Sequence, residues 1–239
     1  MAEARTGERR NGPGRWLGWA IKFLAGFFVT VHIYALVLYF APVPATANMA
    51  IRVVEGQTLH RQWTSLDAMS PHLVRAVIAA EDTRFCQHHG VDTEAIEKAL
   101  EEYRETHRLR GASTITQQTA KNVFLWNGGG VARKVPEAWM ATFIDSFWGK
   151  RRVMEVYLNI AEWGDGLFGA EAAAQARFGK PAAALNEREA ALLAAVLPNP
   201  HVWRADHPGP YVRRRAATLQ VRMQQVASDG LAVCVLDPV

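Results

Sequence analysis

The sequence predicts a mainly α-helical globular domain preceded by one membrane-spanning helix. One long apolar run lies near the N-terminus, and most of the remaining chain shows helical spacing of apolar residues between recognisable helix caps. The chain has 239 residues, 49% of them apolar, which suffices for one domain of ordinary size with a sizeable core. No internal repeat or low-complexity segment indicates another architecture.

The apolar run covers residues 16–40 and contains only three polar side chains, Lys22, Thr30 and His32. About 20 such residues span the hydrocarbon core of a bilayer. Arginines are frequent in the preceding tail, so the positive-inside rule predicts a cytoplasmic N-terminus. The predicted organisation is a cytoplasmic basic tail (1–15), a transmembrane helix (16–40), a linker (41–50) and an extracytoplasmic domain (51–239). A cleaved signal peptide is the alternative, since 45–47 resembles a cleavage site, but the apolar run is longer than usual for one.

Caps and apolar spacing predict the helices of the domain. Ser70 followed by proline opens a helix that ends near Asp82, and Asp92 caps a helix to about residue 107. Ser113 or Thr114 caps a third helix, to about residue 124, and the spacing of Thr114 and Gln117 matches a capping box. Further helices are predicted over 131–148, 150–160, 169–178, 188–197 and 211–227. A capping box of Asn186 and Glu189 opens the helix over 188–197. A short strand is predicted over 51–54.

Charge and cysteine content limit the classes of partner and site. The formal net charge of +4 favours anionic partners such as phosphorylated substrates or acidic lipid headgroups. The two cysteines, Cys86 and Cys234, form no metal-binding motif, so a structural zinc site is not expected. We expect two unpaired thiols, with a disulfide as the alternative in an oxidising compartment.

The segment 81–90 is the first candidate site. Glu81 and Asp82 end an apolar helix, and His88 and His89 precede a glycine. Carboxylates at the end of a half-buried helix acquire raised pKa values and can exchange protons near neutral pH. Adjacent histidines point in different directions, so His88 is interpreted as a structural hydrogen-bonding residue rather than a metal ligand.

Five clusters in a fixed order resemble the peptidoglycan glycosyltransferase (transglycosylase) module of glycosyltransferase family 51. They occupy residues 81–90, 111–122, 133–137, 150–159 and 191–200. The resemblance covers about residues 60–220, and it implies a lysozyme-like helical glycosyltransferase domain of the monofunctional kind, without a transpeptidase domain. It also implies polymerisation of lipid II into β-1,4-linked glycan strands with inversion at the donor anomeric carbon and release of undecaprenyl pyrophosphate, in cell-wall biosynthesis and the maintenance of cell shape.

The resemblance assigns roles to individual residues. Glu81 is the general base on the acceptor hydroxyl, and Glu137 is a second catalytic acid that either orients basic residues or assists the pyrophosphate. Lys121, Arg133 and Lys134 are the cations for the pyrophosphate, with Lys121 the strongest of the three. The other implied substrate-binding residues are Asp82, Ser113, Thr114, Gln117, Gln118, Asn122, Tyr157 and Asn159.

Several of these residues have structural alternatives. Asp82 is expected to hold Glu81 or nearby backbone, and Ser113 to act as a cap or a substrate contact. Internal hydrogen bonding is the competing interpretation of Tyr157 and Asn159. Of the two neighbouring glutamines, we expect one to meet substrate.

One position departs from the family pattern. Many members carry an arginine eight residues before the second glutamate, where this chain has Gly129. We expect Arg133 to compensate, because the flanking glycines let the loop fold back. A large gain of turnover in Gly129→Arg would contradict that expectation.

The implied partners are lipid II, the growing glycan strand, the bacterial inner membrane and other wall-synthesis or division proteins, with no nucleic acid. No cofactor is expected to be required, and magnesium or manganese could bridge the pyrophosphate, although no dedicated metal site is evident. The apolar segment 139–148 is expected to be core, with part of the domain entering the membrane. A glycan-cleaving enzyme and an inactive scaffold are the competing functions.

Overall fold

The computed structural model describes residues 13–107 and 111–237, apart from the side chains of residues 13–15. The chain divides into two compact units, residues 1–40 and 41–239. The first contains one long helix, α1 (Pro13–Phe40). Its stretch from Trp16 to Phe40 has a mean hydropathy of 2.0 and is long enough to cross a membrane, which confirms the prediction of one apolar helix. The basic tail before residue 13 lies outside the described residues.

The second unit is helical with one small sheet. Its elements in chain order are α2 (Ala47–Val54), β1 (His60–Arg61), α3 (Pro71–Glu81), α4 (Thr93–Thr106), α5 (Ile115–Phe124), α6 (Gly130–Ile160), β2 (Glu162–Gly164), β3 (Leu167–Phe168), α7 (Ala170–Phe178), α8 (Glu187–Val196), α9 (Pro210–Ser228) and α10 (Val233–Leu236). Short 3-10 turns cover Leu66–Ala68 and Ala182–Ala184. The mainly helical fold is as predicted.

The predicted caps form. Ser70 accepts from the amide of His72 and Pro71 is the first residue of α3. Asp92 caps α4 by accepting from the amide of Ala95 at 3.0 Å. Thr114 with Gln117, and Asn186 with Glu189, make the two predicted capping boxes at the starts of α5 and α8. These caps are local in sequence, which is why spacing alone identifies them.

Helix α3 lies at the centre of the hydrophobic core. This helix packs against α8 and α9, and α5 packs against α6. Residues 190–196 of α8 are buried on every side, as expected for a helix that is apolar all round. Because α3 is held by two neighbours, the carboxylates at its end are carried by a rigid element.

A glycine interrupts α6 where two helices were predicted. Gly149 has φ 70° and ψ 168°, so two helical segments meet there at a kink. A residue with a side chain is strained in that region of φ/ψ space, whereas glycine is not. The predicted boundary between 148 and 150 is confirmed.

Two expectations were wrong, and one element was not predicted. Residues 51–54 belong to helix α2 rather than a strand, since Thr46 caps a helix that begins inside the expected linker. A three-stranded sheet of order β1-β3-β2 was not predicted, because its strands are two or three residues long and β1 pairs with β3, more than a hundred residues away. Cys86 and Cys234 form a disulfide with a Cα–Cα distance of 5.6 Å, so they are not unpaired thiols.

Candidate active site

Glu81 is the last residue of α3, and its side chain is partly buried. Its Oε2 accepts a hydrogen bond from Nε2 of Gln118 on α5 at 2.9 Å. Burial raises the pKa of Glu81, and the Gln118 hydrogen bond opposes that rise only in part. Among the described residues no hydrogen bond reaches Oε1, so this oxygen is the one available to a substrate hydroxyl.

Asp82 supports the site by organising the backbone around it. Its Oδ2 accepts from the amide of Ile115, the first residue of α5, at 3.0 Å. Nε2 of the buried His88 lies 3.0 and 3.1 Å from the two carboxylate oxygens. Asp82 therefore ties the segment after α3 to the start of α5, and the structural interpretation of His88 is confirmed.

Gly90 closes that segment by lying directly on α6. A Cβ atom at this position would come within 2.7 Å of the backbone of Ala141, and the φ of Gly90 is 85°. The carbonyl of Gly90 accepts from Oγ1 of Thr114 at 2.6 Å. Only glycine allows this close approach, so the segment after Glu81 is fixed from both sides.

The N-terminal part of α6 carries two cationic side chains that are paired with one buried acid. Glu137 is 1% exposed, and its Oε2 accepts from Nη1 of Arg133. Its Oε1 accepts from Nζ of Lys134 at 2.6 Å, and the same Nζ donates to Oγ of Ser113 at 2.8 Å. The spacings i−4 and i−3 place both cations on the face of Glu137.

Lys121 lies on α5, and the charges of both acids act on it. Burial lowers the pKa of Lys121, while the charges of Glu137 and Glu81 favour its ammonium form. Among the described residues no carboxylate lies within 4 Å of its Nζ. A partly buried ammonium without a direct partner is suited to an anionic ligand.

The glycine loop before α6 shapes this cluster. Gly128, Gly129 and Gly130 have φ values of 96°, 78° and 54°, and Nε of Arg133 donates to the carbonyl of Gly128 at 2.5 Å. The loop thus folds back on Arg133, as the compensation hypothesis requires. A Cβ at Gly129 would lie 3.2 Å from Cβ of Arg133, so a substitution there is strained.

The other predicted residues divide between cleft and scaffold. Tyr157 is buried, and its hydroxyl donates to Oε1 of Gln118 at 3.4 Å, so it helps to hold the amide that faces Glu81. Burial raises the pKa of Tyr157 well above its usual value, which keeps the hydroxyl a donor. Asn122 is half-buried on α5, beside Lys121 in sequence.

Thr114, Gln117 and Asn159 serve the scaffold. The first two form the capping box of α5. The Asn159 amide donates to the carbonyls of Thr64 and Glu155 and accepts from the amide of Thr64, at 2.7–2.8 Å. Asn159 is fully buried, and these internal hydrogen bonds agree with the structural alternative for this residue.

Two features near Glu81 were missed by sequence reasoning. Arg215 on α9 acts on Glu81 through its charge, which favours the ionised carboxylate, and it lines a cavity of about 250 Å³ with Arg214 and Arg222. A second cavity of about 260 Å³ lies between Glu81, Ser113 and Lys98 of α4. The run of arginines in α9 is typical of a solvent-exposed helix face, so the sequence pattern did not indicate a role for Arg215 in the site.

Asp82, His88 and Asp92 form the one group of potential metal ligands among the described residues. Ligand atoms of Asp82, His88 and Asp92 lie within 4.8 Å of one another. However, Asp82 is engaged by His88 and a backbone amide, and Asp92 caps α4 and pairs with Arg84 at 3.2 Å. A divalent cation would have to displace an arginine and a helix cap, so these residues do not fit a metal site well.

Comparison with known proteins identifies the family. A family model described as transglycosylase matches residues 47–224. The chain belongs to the transglycosylase family. Relatives named biosynthetic peptidoglycan transglycosylase, from Rhodospirillum centenum and Caulobacter vibrioides, are 53% and 50% identical, covering 90% and 89% of this chain and 94% of each relative. A protein of that name from Pseudomonas aeruginosa is 46% identical, over 87% of this chain and 92% of its own length. The match to the transglycosylase model contains Glu81, Lys121 and Glu137, with every other residue of the cluster.

Proposed function

We propose that this transglycosylase polymerises lipid II into β-1,4-linked glycan strands, with inversion at the donor anomeric carbon and release of undecaprenyl pyrophosphate. The observation that carries the proposal is the arrangement of one partly buried acid, Glu81, beside a separate cluster of cations at Lys121, Arg133 and Lys134. A single displacement requires a base on the nucleophile and cations on the leaving group.

Glu81 acts as the general base in this proposal. Its free Oε1 accepts the proton of the acceptor 4-hydroxyl as the oxygen attacks the anomeric carbon. Gln118 holds the other carboxylate oxygen at 2.9 Å and so limits rotation of the group. The raised pKa of Glu81 makes its carboxylate a stronger base than a solvated one.

The leaving pyrophosphate is stabilised by side-chain cations. Lys121 gains the anionic partner that it lacks among the described residues, and this offsets the cost of its burial. Arg133 and Lys134 are held by Glu137, which therefore acts by orienting cations rather than by transferring a proton. These charges neutralise the leaving group, so we propose that a divalent cation stimulates the reaction at most and is not required.

Arg215 serves the acceptor side in this proposal. Each of the two substrates carries a lipid-linked pyrophosphate, so a second group of cations is needed on the other substrate. The arginines of α9 form a cavity whose Arg215 acts electrostatically on Glu81. We assign the acceptor pyrophosphate to this cavity.

The protein is proposed to be a single-pass inner-membrane protein with a cytoplasmic N-terminus and a periplasmic domain. Helix α1 supplies the span, and the Cys86–Cys234 disulfide supports an oxidising compartment for the domain.

A ridge of apolar side chains on α6 supports contact between the domain and the bilayer. Val131, Val135, Trp139 and Phe147 are 57–85% exposed, and they recur at four- or eight-residue intervals. In contrast, Met140, Ile144 and Trp148 of the same helix are buried, so the predicted apolar segment 139–148 is core on one face only. Exposed aromatic and aliphatic groups of this size suit the interface where a lipid-linked substrate resides.

A glycan-cleaving activity is the second candidate, because a hydrolase can also use one main glutamate. The three cations near Glu137 favour the polymerase, since a hydrolase has no pyrophosphate leaving group. Fluorescently labelled lipid II, incubated with the detergent-solubilised protein with and without a chelator, should yield polymer in both cases. Glu81→Gln should abolish the polymer. Release of fragments from mature peptidoglycan without any polymerisation would overturn the proposal.

A further inference from the structure

The segment that follows the membrane helix is docked on the domain rather than free. Residues 41–46 contain two prolines and make no regular secondary structure, yet Val43 and Thr46 are buried. A free linker of this composition would be extended and solvated. The segment therefore has specific partners in the domain.

Arg61 and Arg152 supply those partners. Arg61 donates from Nη1 to the carbonyl of Pro44 at 2.7 Å and from Nη2 to the carbonyl of Val43. Arg152 donates to the carbonyl of Ala41 at 2.5 Å. Both guanidinium groups also lie over the ring of Trp63, at 5.6 and 5.3 Å from its centroid.

The side chain of Arg61 hydrogen-bonds to the carbonyls of the docked segment and pairs with no acid among the described residues. Among the described residues no carboxylate lies within salt-bridge distance of it, and its hydrogen bonds go to the two carbonyls of the segment. Burial lowers the pKa of its guanidinium, as expected for a desolvated cation without an acid partner. A half-buried arginine without an acid indicates that the carbonyls are its intended ligands.

The docked segment continues into contacts that approach the cation cluster. It leads into α2, where Asn48 donates to Glu162 at 2.8 Å and accepts from Asn127 at 3.0 Å. Asn127 directly precedes the glycine loop that folds back on Arg133. The backbone that leaves the span is thus joined, through successive contacts, to the loop that shapes the active site.

We propose that Arg61 is a positioning residue: by docking residues 41–46 it keeps the tether of the transglycosylase domain short, so that the active site works only on substrate at the membrane surface. This inference rests on the proposed function. Six freed residues would extend the tether by at most about 20 Å. The effective concentration of the active site at the membrane surface would fall as the tether lengthens.

The first test measures docking without measuring turnover. Pancreatic elastase cleaves after small apolar residues, such as Ala45, and would be applied to the purified full chain in detergent. Arg61→Ala removes two charged hydrogen bonds and should raise cleavage in the segment by about tenfold or more. Arg188→Ala, at an exposed arginine of α8, is the control and should leave cleavage unchanged. An unchanged rate in Arg61→Ala would overturn the proposal.

The second test measures the consequence for the reaction. In liposomes containing lipid II, Arg61→Ala should raise KM several-fold, whereas its kcat in detergent should stay close to that of the wild type. An insertion of about six Gly-Ser residues between Phe40 and Ala41 leaves the Arg61 contacts with residues 43 and 44 in place and should have the same effect in liposomes. An unchanged liposome KM in both variants, or an equal loss of kcat in detergent, would overturn the proposal. If the wild type polymerises in neither medium, the proposed function fails instead, and the elastase comparison still decides whether the segment is docked.

Discussion

Glu137→Gln separates the two roles that this acid could play. The substitution keeps the shape of the side chain but leaves one acceptor oxygen, so it can hold only one of Arg133 and Lys134. A hydrogen bond to a charged group contributes about 1.5–3 kcal/mol. At 1.36 kcal/mol for each tenfold change, we expect kcat/KM to fall about 10- to 150-fold.

The assay is polymerisation of labelled lipid II over a range of substrate concentrations and pH. If Glu137 orients the cations, the affinity for lipid II should fall by a similar factor when measured in a Glu81→Gln background, where turnover is absent. The pH profile of the residual activity should keep its shape, since the proton-transfer group is unchanged.

Glu189→Gln is a suitable control, because Glu189 of α8 is another ion-paired glutamate, 2.8 Å from Lys180. It should leave kcat/KM near the wild-type value. Two results would refute the reasoning: Glu137→Gln with kcat/KM within about twofold of wild type, or a variant that binds lipid II normally and has lost one limb of the pH profile.

Three further predictions concern individual residues. Glu81→Gln should lose activity by a factor of about 10²–10⁴ and yet have a higher Tm at neutral pH. Burial raises the pKa of Glu81 in the folded state, so the wild-type protein loses stability as pH rises through that pKa and Glu81 becomes charged, whereas glutamine stays neutral. A Tm below that of the wild type would contradict this reasoning. Reduction of the Cys86–Cys234 disulfide, which spans 148 residues, should lower the free energy of unfolding by about 2–5 kcal/mol, and denaturant unfolding with and without reductant checks it, with coincident curves as the contrary result. Gly129→Arg should lower stability by about 1–2 kcal/mol because the φ is 78°, so it should not raise turnover; a more active variant of unchanged Tm would show that Arg133 compensates incompletely.

Local features of the site could be predicted from the sequence. The capping box of Thr114 and Gln117 and the placement of Lys134 and Arg133 three and four residues before Glu137 follow from helical geometry alone. The support role of Asp82 could be stated, but not its partners, because Ile115 is a partner 33 residues away.

Distant pairings could not be predicted. Gly129 was interpreted as a missing cation, whereas its positive φ makes it a requirement of the loop that brings Arg133 to the carbonyl of Gly128. Asn159 was grouped with the substrate-binding residues, with internal hydrogen bonding as the alternative, and its amide is hydrogen-bonded to Thr64 and Glu155 in the structure. The segment after the span was expected to be a linker. Nothing in the residues around Arg61 indicated that its side chain would bind the carbonyl of Pro44, 17 residues away.

The sequence by itself determined the apolar helix, the helical class of the domain and the ordered clusters that identify the family, because each depends on spacing within one element or on residue identity. Tertiary structure alone decided which oxygen of Glu81 is available, how Glu137 holds two cations, that Arg215 acts on Glu81 and that the cysteines pair. The physical reason is that burial and electrostatic coupling depend on which distant elements meet, and neither quantity is a property of a single segment.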